Sequence, residues 1–205
     1  MVLRRLFLVR HCESTGQEAS APLTAVGQAQ AIRLADHLET RGVELLVSSP
    51  STRAQQSIAP LAQRLNLPVE LDSRLAERVL SAAPLEHWRE ALQQTFEDLD
   101  LAWSGGESSR TAMARGRAAI DALLTRPARV LVVMTHGNLM TLILRSFETQ
   151  FGFQAWEYLS NPDVYYLEMD AERVQVTRTW VPPLAASNTS KAINPILKLE
   201  KGEGL

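Results

Sequence analysis

Two histidines stand at the ends of apolar runs. The run from Leu6 to Val9 leads into Arg10, His11, Cys12, Glu13 and Ser14, and a second, from Val130 to Met134, leads into Thr135, His136 and Gly137. Both runs have the length and composition of buried strands. The crevice beyond the carboxyl ends of such strands is where open α/β sheets bind ligands, so both imidazoles would open into one site.

Arg53 adds to this pair. It falls in the first turn of a helix expected after Ser49 and Pro50, where the helix dipole disfavours a cation by roughly a few tenths of a kcal/mol. A lone arginine there reads as a solvated surface residue. Taken with Arg10, which interrupts an apolar strand end, it reads as half of a phosphate cradle, with fork-shaped donors matched to phosphate oxygens beside a helix N-terminus. Neighbouring guanidiniums penalise an imidazolium, so a histidine among them stays neutral and keeps a lone pair for attack. His11 alone would be an ordinary strand-end histidine; with Arg10, Arg53 and His136 it is a candidate nucleophile.

Other phosphate chemistries find less support. A cysteine nucleophile at Cys12 would need an arginine closing the same loop, where this chain has Glu18. No Gly-rich loop leads into Lys and Ser or Thr, and Gly16, Gly27 and Gly42 are isolated. The histidines His11, His37, His87 and His136 show no metal-ligand spacing. Metal independence and no cofactor are the expectation.

The elements that must position these residues follow from periodicity. Val43 to Val47, Pro68 to Leu71 and Val130 to Met134 read as further strands, and Val164 to Met169 with Val174 to Trp180 as a closing hairpin. Helices are predicted from a cap at Thr24 with Ala31, Leu34, Ala35 and Leu38, from a cap at Ser49 with Ala54, Ile58, Leu61 and Leu65, and from the stripe Met113, Gly116, Ile120, Leu123 and Leu124. Leu139, Leu142, Ile143 and Phe147 mark the helix after His136. Alternation of strand and helix implies an α/β/α sandwich around a mostly parallel sheet.

With 205 residues and 45% hydrophobic content, one substantial core is expected. A formal charge of -2 disfavours nucleic acid as a partner while leaving room for a small anion. The N-terminal apolar run is too short for a signal or a membrane span, and a single cysteine cannot make an internal disulfide, so a cytoplasmic protein with no membrane partner is expected. All lysines, Lys191, Lys198 and Lys201, lie near the C-terminus. The expected organisation is a catalytic domain over 1–182, with a lid insertion over about 78–106, and a C-terminal tail over 183–205, mobile or loosely docked.

The ordered blocks Leu8-Val9-Arg10-His11, Leu23-Thr24 with Gly27, Ser48-Ser49-Pro50 with Arg53-Ala54, Leu75 with Glu77, Gly105-Gly106-Glu107-Ser108 and Thr135-His136-Gly137-Asn138 resemble the histidine phosphatase superfamily over roughly residues 3 to 180. The resemblance implies a phosphoglycerate mutase-like fold and a phosphohistidine on His11. It implies that Arg10, Arg53, His136 and Gly137 hold the phosphoryl group, with Gln17 beside them, and that Glu77 is the proton donor. A small phosphorylated metabolite would be the substrate, and a homodimer is compatible with the resemblance. The alternative for Glu77 is a salt bridge to Arg74 or Arg78.

Departures are equally specific. Cys12 stands where relatives carry glycine, bringing a side chain next to the phosphate that could tune substrate fit or be oxidised. Gln17 replaces a smaller polar residue, and Val79 to Trp88 replaces a Gly and Trp-rich stretch in the lid. An amphipathic lid helix packing Leu85, Trp88, Leu92 and Phe96 onto the body suits the spacing; arginines or tryptophans turned to the cleft are the other reading. Ser108 reads as a helix cap or a phosphate contact. A phosphomonoesterase leads, against a phosphoglycerate mutase and a non-catalytic phospho-ligand module; the short Ser14 to Leu23 connection weighs against the mutase and the intact residue set against the module.

Overall fold

The computed structural model describes residues 3–170 and 173–181; the predicted tail lies outside the described residues. Six strands, β1 (Arg4–Arg10), β2 (Leu45–Ser48), β3 (Val69–Leu71), β4 (Val130–Thr135), β5 (Asp163–Met169) and β6 (Val174–Arg178), form one sheet in the order β3-β2-β4-β1-β5-β6. The first four positions are parallel; β5 runs antiparallel to β1 and β6 antiparallel to β5, as the predicted hairpin requires, so only β5 opposes the other strands.

Side chains alternate along β1 because successive Cβ atoms point to opposite faces of a strand. Leu6 and Leu8 join Leu131 and Val133 of β4 on one face, while Phe7 and Val9 join Val132 and Met134 on the other. Helices α1 (Ala25–Leu38) and α2 (Thr52–Leu65) cover the second face through Ala31, Leu34, Leu38, Ile58 and Leu61. Helices α4 (Ser109–Leu124) and α5 (Gly137–Arg145) cover the first through Ala119, Ile120, Leu139 and Ile143. Burial on both faces is why these strands read as continuous apolar runs rather than alternating ones. Between β3 and α4 lies α3 (Trp88–Glu97), and a short α6 (Phe153–Glu157) precedes β5.

The predicted caps of α1 and α4 form: Thr24 Oγ1 accepts from Gly27 N at 2.9 Å, and Ser108 Oγ from Thr111 N at 3.1 Å. Ser108 is thus used as a cap. The start of α2 differs, because Ser51 rather than Ser49 is its N-cap residue and makes no capping bond. The hydroxyls of both serines serve another residue, His136. In the lid, Leu92 and Phe96 pack inward as predicted, whereas Trp88 is 51% exposed and meets Trp156 edge-on. Trp88 opens the helix, where a first-turn side chain overhangs the end instead of the body.

Candidate active site

The register of the two central strands builds the site. Arg10 of β1 pairs with Thr135 of β4, and His11 N donates to Thr135 O at 3.0 Å. His11 and His136 therefore leave neighbouring parallel strands at the same level, with ring centroids 5.1 Å apart. Both are buried.

Arg53 joins them. From the second position of α2 its Nε donates to His11 Nε2 at 3.1 Å and its Nη2 lies 3.1 Å from His136 Nδ1, while Nη1 donates to the carbonyls of Gln17 at 3.1 Å and Glu18 at 2.8 Å. Hydrogen bonds to a charged group contribute about 1.5–3 kcal/mol each, which outweighs the unfavourable dipole position. No anion pairs with Arg53 among the described residues. Gln17 meets Arg53 through its carbonyl, and the residue is exposed at the edge of the site.

The ring nitrogens have distinct roles. His11 Nδ1 lies 2.6 Å from the Cys12 carbonyl, which can only accept, so Nδ1 carries the proton and Nε2 the lone pair. His136 Nε2 lies 2.7 Å from Ser49 Oγ and 3.3 Å from Ser51 Oγ, leaving Nδ1 to accept from Arg53. Burial above all, then His136 and the guanidiniums of Arg53 and Arg10, push the His11 pKa down to about 3. Burial followed by Arg53, Arg10 and Arg115 does the same to His136, also to about 3. The neutral imidazole expected from neighbouring cations thus owes more to desolvation than to charge.

Arg10 reaches the start of α5. Its Nη1 donates to Leu159 O at 3.2 Å, and its Nε is buried with no hydrogen-bond partner. Gly137 makes room for it, since a Cβ there would stand 3.0 Å from Nε and 3.1 Å from Cζ. His136 is the N-cap residue of α5 but makes no capping bond. Glu77 supplies one from outside: Oε2 accepts from Asn138 N at 3.1 Å and Oε1 from Leu139 N at 3.0 Å, the second and third helical N–H groups that a cap would take. Its Oε1 also accepts from Arg78 N at 2.9 Å. The alternative salt bridge does not form, because Arg74 pairs with Asp72 and Arg78 meets Glu77 only through its backbone.

Cys12 corrects an expectation. Its side chain is fully buried in the apolar cluster with Phe7, Val9 and Leu23, its N–H donates to Ser57 Oγ at 2.9 Å, and burial pushes the thiol up to about 12. A thiol so buried and raised offers no thiolate for oxidation. The serines on His136 and Asn138, whose buried side-chain amide has no partner, are further site residues that sequence reasoning missed. The Ser48-Ser49-Pro50 and His136-Gly137-Asn138 blocks contained Ser49 and Asn138, but nothing in spacing assigned those side chains.

Known proteins resemble this chain in sequence and in fold. The sequence model of the histidine phosphatase superfamily (branch 1) matches residues 6–181. A probable phosphoglycerate mutase, GpmB, of Yersinia enterocolitica is 30% identical over 156 residues, covering 68% of this chain and 73% of that protein. The mycobacterial glucosyl-3-phosphoglycerate phosphatase superposes with a TM-score of 0.70 at 26% identity, over 86% of this chain and 97% of that one. The alpha-ribazole phosphatase of Shigella flexneri shares the fold, with a TM-score of 0.69 at 20% identity, over 85% of this chain and 95% of that one.

Proposed function

This chain belongs to the histidine phosphatase superfamily, branch 1, and we propose that it works there as a metal-independent phosphomonoesterase on a small phosphorylated metabolite, through a phosphohistidine on His11. The observation that carries this reading is the single guanidinium of Arg53 spanning a lone pair on His11 Nε2 and one on His136 Nδ1, both at 3.1 Å.

In the absence of substrate the Arg53 Nε–H covers the nucleophile. A phosphoryl oxygen that takes this N–H uncovers Nε2, while Arg10 and Arg53 offer donors that strengthen as charge shifts onto the equatorial oxygens, and His136, borne on Ser49 and Ser51, steadies the Arg53 fork through Nδ1. Gly137 N, at the N-terminus of α5, adds another. Nε2 attacks phosphorus as the bond to the ester oxygen breaks, and that oxygen takes the proton of the Glu77 carboxyl. The Nδ1–H stays on the Cys12 carbonyl and holds the ring in orientation. Water then attacks the phosphohistidine, its proton passes to the Glu77 carboxylate, and the P–N electron pair returns to Nε2, releasing inorganic phosphate.

The name of the Yersinia relative favours a second reading, in which the phosphoryl group returns to bound product as in a phosphoglycerate mutase. Isomer analysis after incubation with a phosphoglycerate separates the two, since free phosphate supports hydrolysis and an isomer supports transfer.

Chelator-treated protein is expected to hydrolyse an aryl phosphate ester at mildly acidic pH, with His11→Ala losing about a thousandfold or more. Most activity surviving in that variant would sink the reading. An acid-labile, base-stable phosphoenzyme should form in Cys12→Ser and be absent in His11→Ala.

A further inference from the structure

The residue after Glu77 is a buried arginine that the phosphate chemistry does not use. Arg78 is 5% exposed, and no carboxylate pairs with its guanidinium among the described residues. Its Nε donates to Glu107 O at 2.7 Å, and its Nη1 to Thr95 Oγ1 of α3 at 2.8 Å and Ser109 Oγ of α4 at 2.9 Å. Burying a cation on neutral oxygens alone is costly.

The neighbouring backbone is held with the same care. Arg115 Nη1 donates to the carbonyls of Arg74 at 2.7 Å and Ala76 at 2.9 Å, and Thr135 Oγ1 donates to Leu75 O at 2.8 Å. Three successive carbonyls before Glu77 are thereby fixed by side chains. Glu107 links both sides of the acid: its carboxylate takes Arg115 through two bonds of 2.8 Å, its carbonyl takes Arg78, and its N–H donates to Val79 O at 2.8 Å. Glu77 has no regular element of its own, lying between a 3-10 turn that ends at Leu75 and the lid. Side chains from α4 and the loop before it do the work that a strand or helix does elsewhere.

We propose that Arg78, with the Glu107–Arg115 pair, is a positioning device that aims the Glu77 carboxyl from the N-terminus of α5 towards the leaving-group oxygen. This rests on the reading of Glu77 as the proton donor. It gives these residues no contact with substrate; their effect passes through the acid. A mispositioned acid slows departure of a poor leaving group far more than of a good one, because only the former needs its proton.

The test compares kcat/KM for para-nitrophenyl phosphate and for an alkyl phosphate such as β-glycerophosphate. This quantity covers steps through phosphoryl transfer to His11, so the later hydrolysis does not enter. In Arg78→Met the alkyl ester is expected to lose about 30-fold or more and the aryl ester about threefold or less, with inhibition by inorganic phosphate unchanged. Glu107→Gln should shift the ratio in the same direction by less. Thr95 and Ser109 keep bonds to Leu92 O and Thr95 O when Arg78 is truncated, so the variant should fold; if it does not, Glu107→Gln carries the test. Equal losses on both esters in the folded variants, no loss on either, or weaker phosphate inhibition would each overturn the proposal. Glu77→Gln separates the two levels. A selective loss in Glu77→Gln that is missing from Arg78→Met and Glu107→Gln overturns the positioning role alone, whereas no selective loss in Glu77→Gln overturns the acid assignment and the positioning role with it.

Discussion

The phosphate cradle and the acid-bearing segment are built on different principles. Arg10, His11, Arg53 and His136 are set by two adjacent parallel strands and two helix starts, with Thr135 O, Cys12 O and Ser49 Oγ fixing the histidines. The stretch from Arg74 to Glu107 is held by side chains grasping carbonyls and exposes Val79 and Trp88. On the proposed reading, regular structure would hold the group common to every phosphate ester, and irregular structure would face the part of the substrate that differs, where a fold can vary without losing its sheet.

The comparison is broken most directly at Arg53. Arg53→Ala should lower kcat/KM for any ester by about a thousandfold, aryl or alkyl alike, since it removes donors to the phosphoryl oxygens. A loss that depends on the leaving group would place Arg53 with the lid instead.

Acid stability sharpens the contrast next. Both cradle histidines are held near pKa 3 in the folded protein against about 6.5 when unfolded. The unfolded chain therefore takes up protons first as pH falls, so their contribution is complete above about pH 6.5 and declines towards pH 3. Between pH 6.5 and 5 this amounts to about 2 kcal/mol for each histidine. Urea titrations over that range should show the decline, and His136→Asn should remove its own share. A flat profile in the parent protein would contradict the buried neutral rings.

Gly137→Ala should cost roughly tenfold in phosphate affinity and kcat/KM, because the methyl meets the Arg10 guanidinium. Unchanged kinetics would mean that Arg10 has room to move. The smallest effect belongs to the lid: Trp88→Ala should change inhibition by inorganic phosphate less than about twofold and stability by under about 1 kcal/mol, as befits an exposed residue. A large change in phosphate inhibition would join lid and cradle.

What could be read beforehand follows the same division. The strands, their parallel arrangement, the caps at Thr24 and Ser108 and the four cradle residues are local patterns of polarity and turn chemistry. Cys12 was misplaced because its neighbours in sequence are polar, while its side chain turns into the Phe7 and Val9 cluster. Ser49 was taken for a helix cap because Ser before Pro is a cap signal, yet a histidine 87 positions away claims its hydroxyl. Trp88 matched the apolar period of its helix, but periodicity does not say which turn overhangs the body.

By itself the amino-acid sequence determined that two strand ends would carry Arg10-His11 and Thr135-His136, that Arg53 would open a helix, and that the family's phosphate chemistry was within reach. Each depends on residues close together in the chain, where periodicity and capping act. Only the tertiary structure decided that Arg53 joins both rings, that Glu77 caps α5 from a distant segment, and that Arg78, Glu107 and Arg115 hold that segment in place. Those bonds span tens of residues, and their partners are chosen by how helices pack on the sheet, which no local spacing specifies.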